Sequence, residues 1–461
     1  MKIVSSDCFL APHIGARNDE TQGPHQQVQS QKASLPNERT LVTRIKCRRI
    51  RIPHMPQTSI GSDFRTKLTQ RLAKEQRNST KDKLAFLDKG LKGSPFESKL
   101  STFPASLQTV PDFQNSDSLG ETVLLKNGRL VRFQAFPQLG IRPSIDETAL
   151  DFLDKSVTEA CVCTLSHLPN SGIRANWTGR NALRNVQCWS ATKFIQMLWA
   201  VSRAHQVDIS TDVDRCVIDT GGRSSISFHQ FMVDIVSYRG GVADSNSKAG
   251  TLKQLTNGAE LTSFIERITG TTDHSFDGLY HNNPLSTKPK LIDSTTRKVL
   301  IAGPGASLAG DNKVSMYALT RLMTMLAWHH HLPASTRIPN AQWSSLESVV
   351  RALGTDSARY IDVAMKELGI FGRSRAQVAI SKLGFGFSDS RGRLENVLVG
   401  ALQYEDLETR ASTGRSTYRS LCFALRLGRG DGSLQAHKDV DTQMAVEVTD
   451  LLRSFEDRDF A

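Results

Sequence analysis

The pattern of apolar and polar positions changes character twice along this chain: strand-like runs come first, helical spacing follows, and strand-like runs return near the end. Thr122-Val-Leu-Leu-Lys-Asn127-Gly128-Arg-Leu-Val-Arg-Phe133 carries two β-prone runs around Asn-Gly, which predicts a hairpin. A second strand pair is predicted at 158–165 and 172–178, turning through Pro169-Asn-Ser-Gly172. From residue 190 to about 370 the spacing is mainly helical, as in Tyr317-Ala-Leu-Thr-Arg-Leu-Met-Thr-Met-Leu-Ala-Trp328, which is apolar over one broad face. Asp356 to Leu368 reads the same way. Val378–Gly384, Asn396–Tyr404 and Tyr418–Leu427 then predict three strands in succession, and 438–455 a closing amphipathic helix. The predicted fold class is α+β: an antiparallel sheet assembled from both chain ends, flanked by helices, with an all-helical insertion between them.

Charge divides the chain differently. Residues 1–100 hold 19 Lys and Arg against 9 Asp and Glu, a net +10, whereas the 461-residue chain carries +12. The body is therefore close to neutral and the basicity belongs to the leading segment. That segment is rich in Gln, Ser, Pro and Lys and has few aromatics, so residues 1–100 are expected to form a disordered basic arm. A helix over 66–92, solvated, is the one element its spacing suggests. The basic runs Arg44–Arg51 and Arg65–Lys92 suit an anionic partner, nucleic acid or a membrane surface, although no interleaved aromatics point to specific nucleic-acid recognition; a solvated tail or a targeting segment is the plainer reading. Residues 101–150 read as a connector with a hairpin, and 151–461 as the main domain.

Seven cysteines stand at 8, 47, 161, 163, 188, 216 and 422, an odd number without a Cys-x-x-Cys pair, which argues against a disulfide framework or a structural zinc site. Cys161 and Cys163 fall on one face of a strand and are expected in the core. No metal and no cofactor is expected; the run His329-His330-His331 reads as a helix end in solvent, since adjacent residues do not share a helix face. No run is long and apolar enough to span a membrane, and the first twenty residues lack the apolar stretch of a secretory signal, so a cytoplasmic or non-classically secreted protein is expected.

The candidate chemistry begins at Cys188-Trp-Ser190-Ala-Thr-Lys193, a Ser-x-x-Lys at the head of the apolar run Phe194–Val201. Three residues apart on a helix, the Ser190 hydroxyl and the Lys193 amine share a face, and a partly desolvated lysine can take the serine's proton. Two rival motifs fail in detail. Val299-Leu-Ile-Ala-Gly303-Pro-Gly305-Ala-Ser307-Leu-Ala-Gly310 lacks the third glycine of a dinucleotide loop, and Ala309 stands where a nucleophile elbow needs glycine.

Three motifs in order resemble the serine β-lactamase and penicillin-binding-protein superfamily over about residues 155–458. They are Ser190-Ala-Thr-Lys193, then Ser245-Asn246-Ser247 followed by Lys-Ala-Gly-Thr-Leu252, then Lys382-Leu383-Gly384 on a strand followed by two strands and a helix. The resemblance implies a Ser190 nucleophile activated by Lys193, with Ser245 relaying a proton to the leaving group. It also implies a Lys382 charge that favours a substrate carboxylate, and substrate contacts from Asn246, Ser247 and Gly384. The backbone N–H groups of Ser190 and Phe385 would form an oxyanion hole, and Arg391, in Ser390-Arg-Gly392, would bind the substrate carboxylate. A small-molecule or peptide-like substrate, an amide or ester, is implied.

The departures are specific. Ser247 stands where the family has Asn, unless the register is Asp244-Ser245-Asn246. Leu383 replaces a hydroxyl residue. No glutamate occurs between Glu266 and Glu347, so the carboxylate that class A enzymes use for deacylation has no counterpart, and Asp277 is a poor substitute. Acylation is expected to survive better than acyl release. A catalytically impaired fold serving as a binding or interaction module is the alternative.

Overall fold

The computed structural model describes residues 58–79, 83–109, 122–125, 128–168, 172–222, 225–308, 310–414 and 417–459. Its first elements are α1 (Thr58–Arg77), α2 (Phe103–Leu107), β1 (Thr122–Leu124), β2 (Leu130–Arg132), β3 (Gln134–Ala135), β4 (Val157–Leu168), β5 (Gly172–Arg180) and β6 (Val186–Gln187). The long middle holds α3 (Lys193–Val207), β7 (Cys216–Asp219), β8 (Ile226–Ser227), α4 (Phe228–Ser237), α5 (Gly241–Lys253) and α6 (Gly258–Thr269). It continues through β9 (Ser275–Phe276), β10 (Lys290–Asp293), β11 (Val299–Ala302), β12 (Asn312–Val314), α7 (Met316–Ala327), α8 (Trp343–Leu353), α9 (Tyr360–Glu367) and α10 (Ile370–Arg373). The chain closes with β13 (Ser374–Ser388), β14 (Arg393–Asp406), α11 (Leu407–Thr413), β15 (Thr417–Arg429) and α12 (Leu434–Asp457).

The main sheet has the order β13-β14-β15-β4-β5-β3, all antiparallel neighbours, so strands from both chain ends do lie side by side. Cys163 faces Cys422 across the β4–β15 pair, and Cys161, Cys163 and Cys422 are all buried free thiols. Both faces of the central strands are covered: β14 is buried almost throughout, with the apolar stretch Val397–Leu402 at its centre and Glu395, Asn396, Gln403 and Glu405 buried on either side. Helix α7 packs on β4, β14 and β15, while α12 packs on the same sheet together with α1 and α9. The segment between β5 and β13 is mainly helical and adds two small sheets, β11-β10-β7-β8 and β6-β12-β9. The β1–β2 hairpin pairs as the Asn-Gly signal implies.

The expected disordered arm over 1–100 needs correction at its C-terminal end. From Thr58 the chain forms α1, and Leu68, Leu72, Phe86, Phe96 and Phe103 are essentially inaccessible to solvent in the main core. Each such side chain contributes about 1.5–3 kcal/mol of apolar burial, enough to hold a basic, weakly apolar segment onto a larger body. The carboxylates of Glu447 and Asp450 on α12 receive the Arg65 guanidinium, so part of the segment's positive charge is matched within the fold. Residues 1–57, with the basic run Arg44–Arg51, lie outside the described residues. The three histidines also differ from expectation. His329 is buried against the Trp343 ring, and His331 Nε2 lies 2.9 Å from the Leu107 carbonyl; only His330 is exposed. Among the described residues no helix is long and apolar enough to cross a membrane.

Candidate active site

Ser190 sits on a single 3-10 turn, Trp189–Thr192, that leads directly into α3. Trp189 adopts φ 51°, a left-handed backbone that costs a non-glycine residue about 1–2 kcal/mol. Packing holds it there. A Cβ on Gly384 would lie 2.4 Å from the Cys188 carbonyl oxygen and 2.7 Å from the Ala191 nitrogen, and one on Gly386 would strike the Trp189 ring at 2.6 Å. The two glycines of β13 therefore let the strand lie directly against the serine's turn. The Trp189 indole N–H donates to Glu395 at 3.3 Å. That buried carboxylate also receives Arg391, Arg393 and Arg426, and these contacts hold it down to about 2 against the upward push of burial.

Lys193 opens α3 and has no solvent exposure. Its amine donates to Ser245 Oγ at 3.0 Å and to Asn246 Oδ1 at 2.7 Å. Burial, reinforced by the positive charge of Lys382, pulls this amine well below the ordinary lysine range. A neutral amine has two hydrogens and one lone pair. With both hydrogens committed to Ser245 and Asn246, the lone pair is the group's remaining valence. No hydrogen bond joins Ser190 to Lys193 in this state.

Ser245 and Asn246 belong to the second turn of α5, and both are buried. The Ser245 hydroxyl donates to the Ile235 carbonyl at 2.7 Å, because a carbonyl can only accept. Its proton is thus directed into α4. Asn246 also donates to Asn282 at 3.0 Å. Ser247 is not brought to Lys193; of the two possible motif registers, only Ser245 and Asn246 reach it.

Lys382 is fully buried on β13 and donates to Tyr238 Oη and to the Leu383 carbonyl, both at 2.9 Å. It makes no hydrogen bond to Ser245. Tyr238 joins the parts: its ring centroid lies 4.4 Å from the Lys382 amine and 5.3 Å from the Lys193 amine. It terminates α4 in a left-handed conformation, φ 53°, where helices usually place glycine. The sequence carried a faint signal for it, an aromatic between two helical runs just before Gly240-Gly241.

Ser190 and Tyr238 line one pocket of about 530 Å³, with Leu383 and Phe385 from β13 and Ser237 and Val242 around α4 and α5. The remaining wall comes from Ser357 and from Lys83, Leu87, Asp88 and Gly90 of the leading segment. That strap is fastened: Phe86 and Leu87 donate their N–H groups to Asp441 at 3.1 and 3.0 Å, and Gly90 donates to Ser357 at 2.9 Å. Arg391 does not line this pocket. Its guanidinium grips Glu395 in a two-pronged pair, 2.5 and 2.8 Å.

On the far side of the serine turn, Tyr280 shares a 3.0 Å hydrogen bond with Thr192, and burial pushes its phenol up. Lys253, also buried, donates to the Gly278 carbonyl and Asn312, and burial lowers its amine to about 7. Among the described residues no group of three or more His, Cys, Asp or Glu is arranged to hold a metal ion.

No protein-family model and no curated protein matches the chain. Among solved structures it is similar to a β-lactamase from Xanthomonas campestris pv. campestris, 15% identical, covering 66% of this chain and 96% of that one at a TM-score of 0.37. It is also similar to a β-lactamase from Desulfarculus baarsii, 16% identical, covering 66% and 96% at 0.38. A third is a PBP-A variant solved as its acyl-enzyme complex with penicillin G, 11% identical, covering 67% and 95% at 0.37.

Proposed function

We propose that the chain is a serine acyl-transfer enzyme of the β-lactamase and penicillin-binding-protein kind, acting on an amide or ester through an acyl-enzyme on Ser190. The observation that carries this reading is the state of Lys193: a buried amine, one helical turn from a pocket-lining serine, with both hydrogens engaged and a lone pair left to take a proton. Ser190 attacks the carbonyl and its proton passes to Lys193. The N–H groups of Ser190 and Phe385 are the candidate donors to the developing oxyanion.

We assign the proton relay to Tyr238 rather than Ser245. The Ser245 proton is committed to Ile235, whereas Tyr238 lines the pocket, and a loose 3.5 Å contact to the Leu383 carbonyl is all that holds its hydroxyl proton. When the bond to the leaving group breaks, that group takes the Tyr238 proton, and Lys382 stabilises the resulting phenolate. Water then attacks the acyl carbon and returns a proton to Tyr238, while Lys193 returns its own to the Ser190 oxygen. With no glutamate between Glu266 and Glu347 and the Tyr280 phenol pushed up, this second half lacks a carboxylate base and is the slower one.

Labelling with a fluorescent fluorophosphonate, with Ser190→Ala as control, tests the reading, and intact mass gives the adduct. Labelling lost in the variant supports it. Equal labelling of both proteins, or of neither, sinks it and leaves the non-catalytic binding module.

A further inference from the structure

We infer that the Ser190 site accepts an ester whose acyl group is uncharged and apolar, and rejects one bearing a carboxylate; this deepens the acyl-transfer reading and rests on it. The two cations that the resemblance assigns to a substrate carboxylate are both withdrawn from the pocket, and a third position has no donor to offer. Lys382 has no exposed surface and its amine is turned to Tyr238 and the Leu383 carbonyl. Arg391 is held two-pronged by Glu395, a buried carboxylate, and turning it to a substrate would break both of those charge-assisted hydrogen bonds. Position 383, on the pocket wall, carries a leucine with no hydroxyl to offer.

One wall of the space is apolar, and Ser237 and Ser357 are the uncharged polar residues beside Ser190. Leu87, Val242, Leu383 and Phe385 line it beside the Tyr238 ring. The two charged lining residues, Lys83 and Asp88, are both exposed at the strap and opposite in sign, so they present no net field to a ligand. A carboxylate pressed against the apolar wall would lose hydration without gaining a buried partner, the Lys83 ammonium being exposed and screened at the rim, whereas an alkyl chain would gain burial. The pocket's 530 Å³ leaves room for an acyl chain of several carbons.

The test compares two nearly isosteric esters, p-nitrophenyl butyrate and the p-nitrophenyl half-ester of succinate, by the rate of the nitrophenolate burst in the full-length protein. The expected result is a burst rate constant at least about tenfold larger for butyrate, lost in Ser190→Ala. Val242→Lys, which sets an ammonium on the exposed rim without burying it, is expected to narrow that ratio by raising the succinate rate. A succinate half-ester that reacts as fast as butyrate, or an unlabelled protein whose Ser190 takes the fluorophosphonate in a parallel sample yet reacts with neither ester, overturns the substrate assignment alone. Absence of fluorophosphonate labelling overturns the acyl-transfer reading with it.

Discussion

Gly384 on β13 stands so close to Cys188 that a methyl group in its place would lie 2.4 Å from the Cys188 carbonyl oxygen. The contact joins the strand that carries Lys382 to the turn that carries Ser190. Gly384→Ala is therefore expected to push the two apart, at a cost of about 1–3 kcal/mol from overpacking. Urea unfolding measures the loss, and the fluorophosphonate labelling rate should fall beyond what the unfolded fraction explains.

Lys193 supplies the pH dependence. Burial, with the Lys382 charge beside it, holds its amine well below the lysine range, so the neutral, proton-accepting form is favoured. The labelling rate should decline on acidification as Lys193 takes up a proton, with its midpoint below the ordinary lysine range. Lys193→Ala should lower the rate by about 10²–10⁴, and Lys193→Arg should not restore it, because a guanidinium stays protonated. Because the unfolded chain binds that proton more readily, this group also makes stability rise with pH between its folded and unfolded pKa values.

Asp441 fastens the strap that walls the pocket. It accepts the Phe86 and Leu87 N–H groups and the Tyr360 hydroxyl, and burial raises it from 3.8 to about 7. Between those values the folded state keeps a proton that the unfolded chain has released, so this group makes stability fall as pH climbs toward 7. Asp441→Asn should flatten that slope in denaturant titrations run across the interval. Asp441→Ala strands two backbone donors and should cost about 2–4 kcal/mol.

Glu395 links the nucleophile's turn to a buried ion cluster through the Trp189 indole. Glu395→Gln leaves Arg426 without half of its counter-charge, and destabilisation of about 3–5 kcal/mol is expected. Glu395→Asp keeps the charge but shortens the reach to Trp189. It should preserve more stability than the glutamine variant while still slowing labelling, and equal effects of the two on both readouts would contradict this role.

The sheet was legible in the chain's own apolar pattern. The apolar runs over Val378–Gly384, Asn396–Tyr404 and Tyr418–Leu427 became β13, β14 and β15, because strands buried on both faces leave an apolar trace that does not depend on their partners. The helical spacing places Ser190 and Lys193 on one helix, whereas Ser190 stands on the 3-10 turn just before α3, where β13 packs against it. What the chain could not reveal locally is everything set by contacts across hundreds of residues. Residues 58–100 looked too polar to fold alone, and they fold only because α12 and the sheet supply the other half of their core. Asn246 meets Lys193 where Ser247 does not, since the rotation of α5 about its axis is fixed by packing. Arg391 turned to Glu395 and Tyr238 turned to Lys382 are long-range choices of charge and hydrogen bonding. Such choices are made in three dimensions, where a buried donor takes the nearest acceptor whatever its place in the chain.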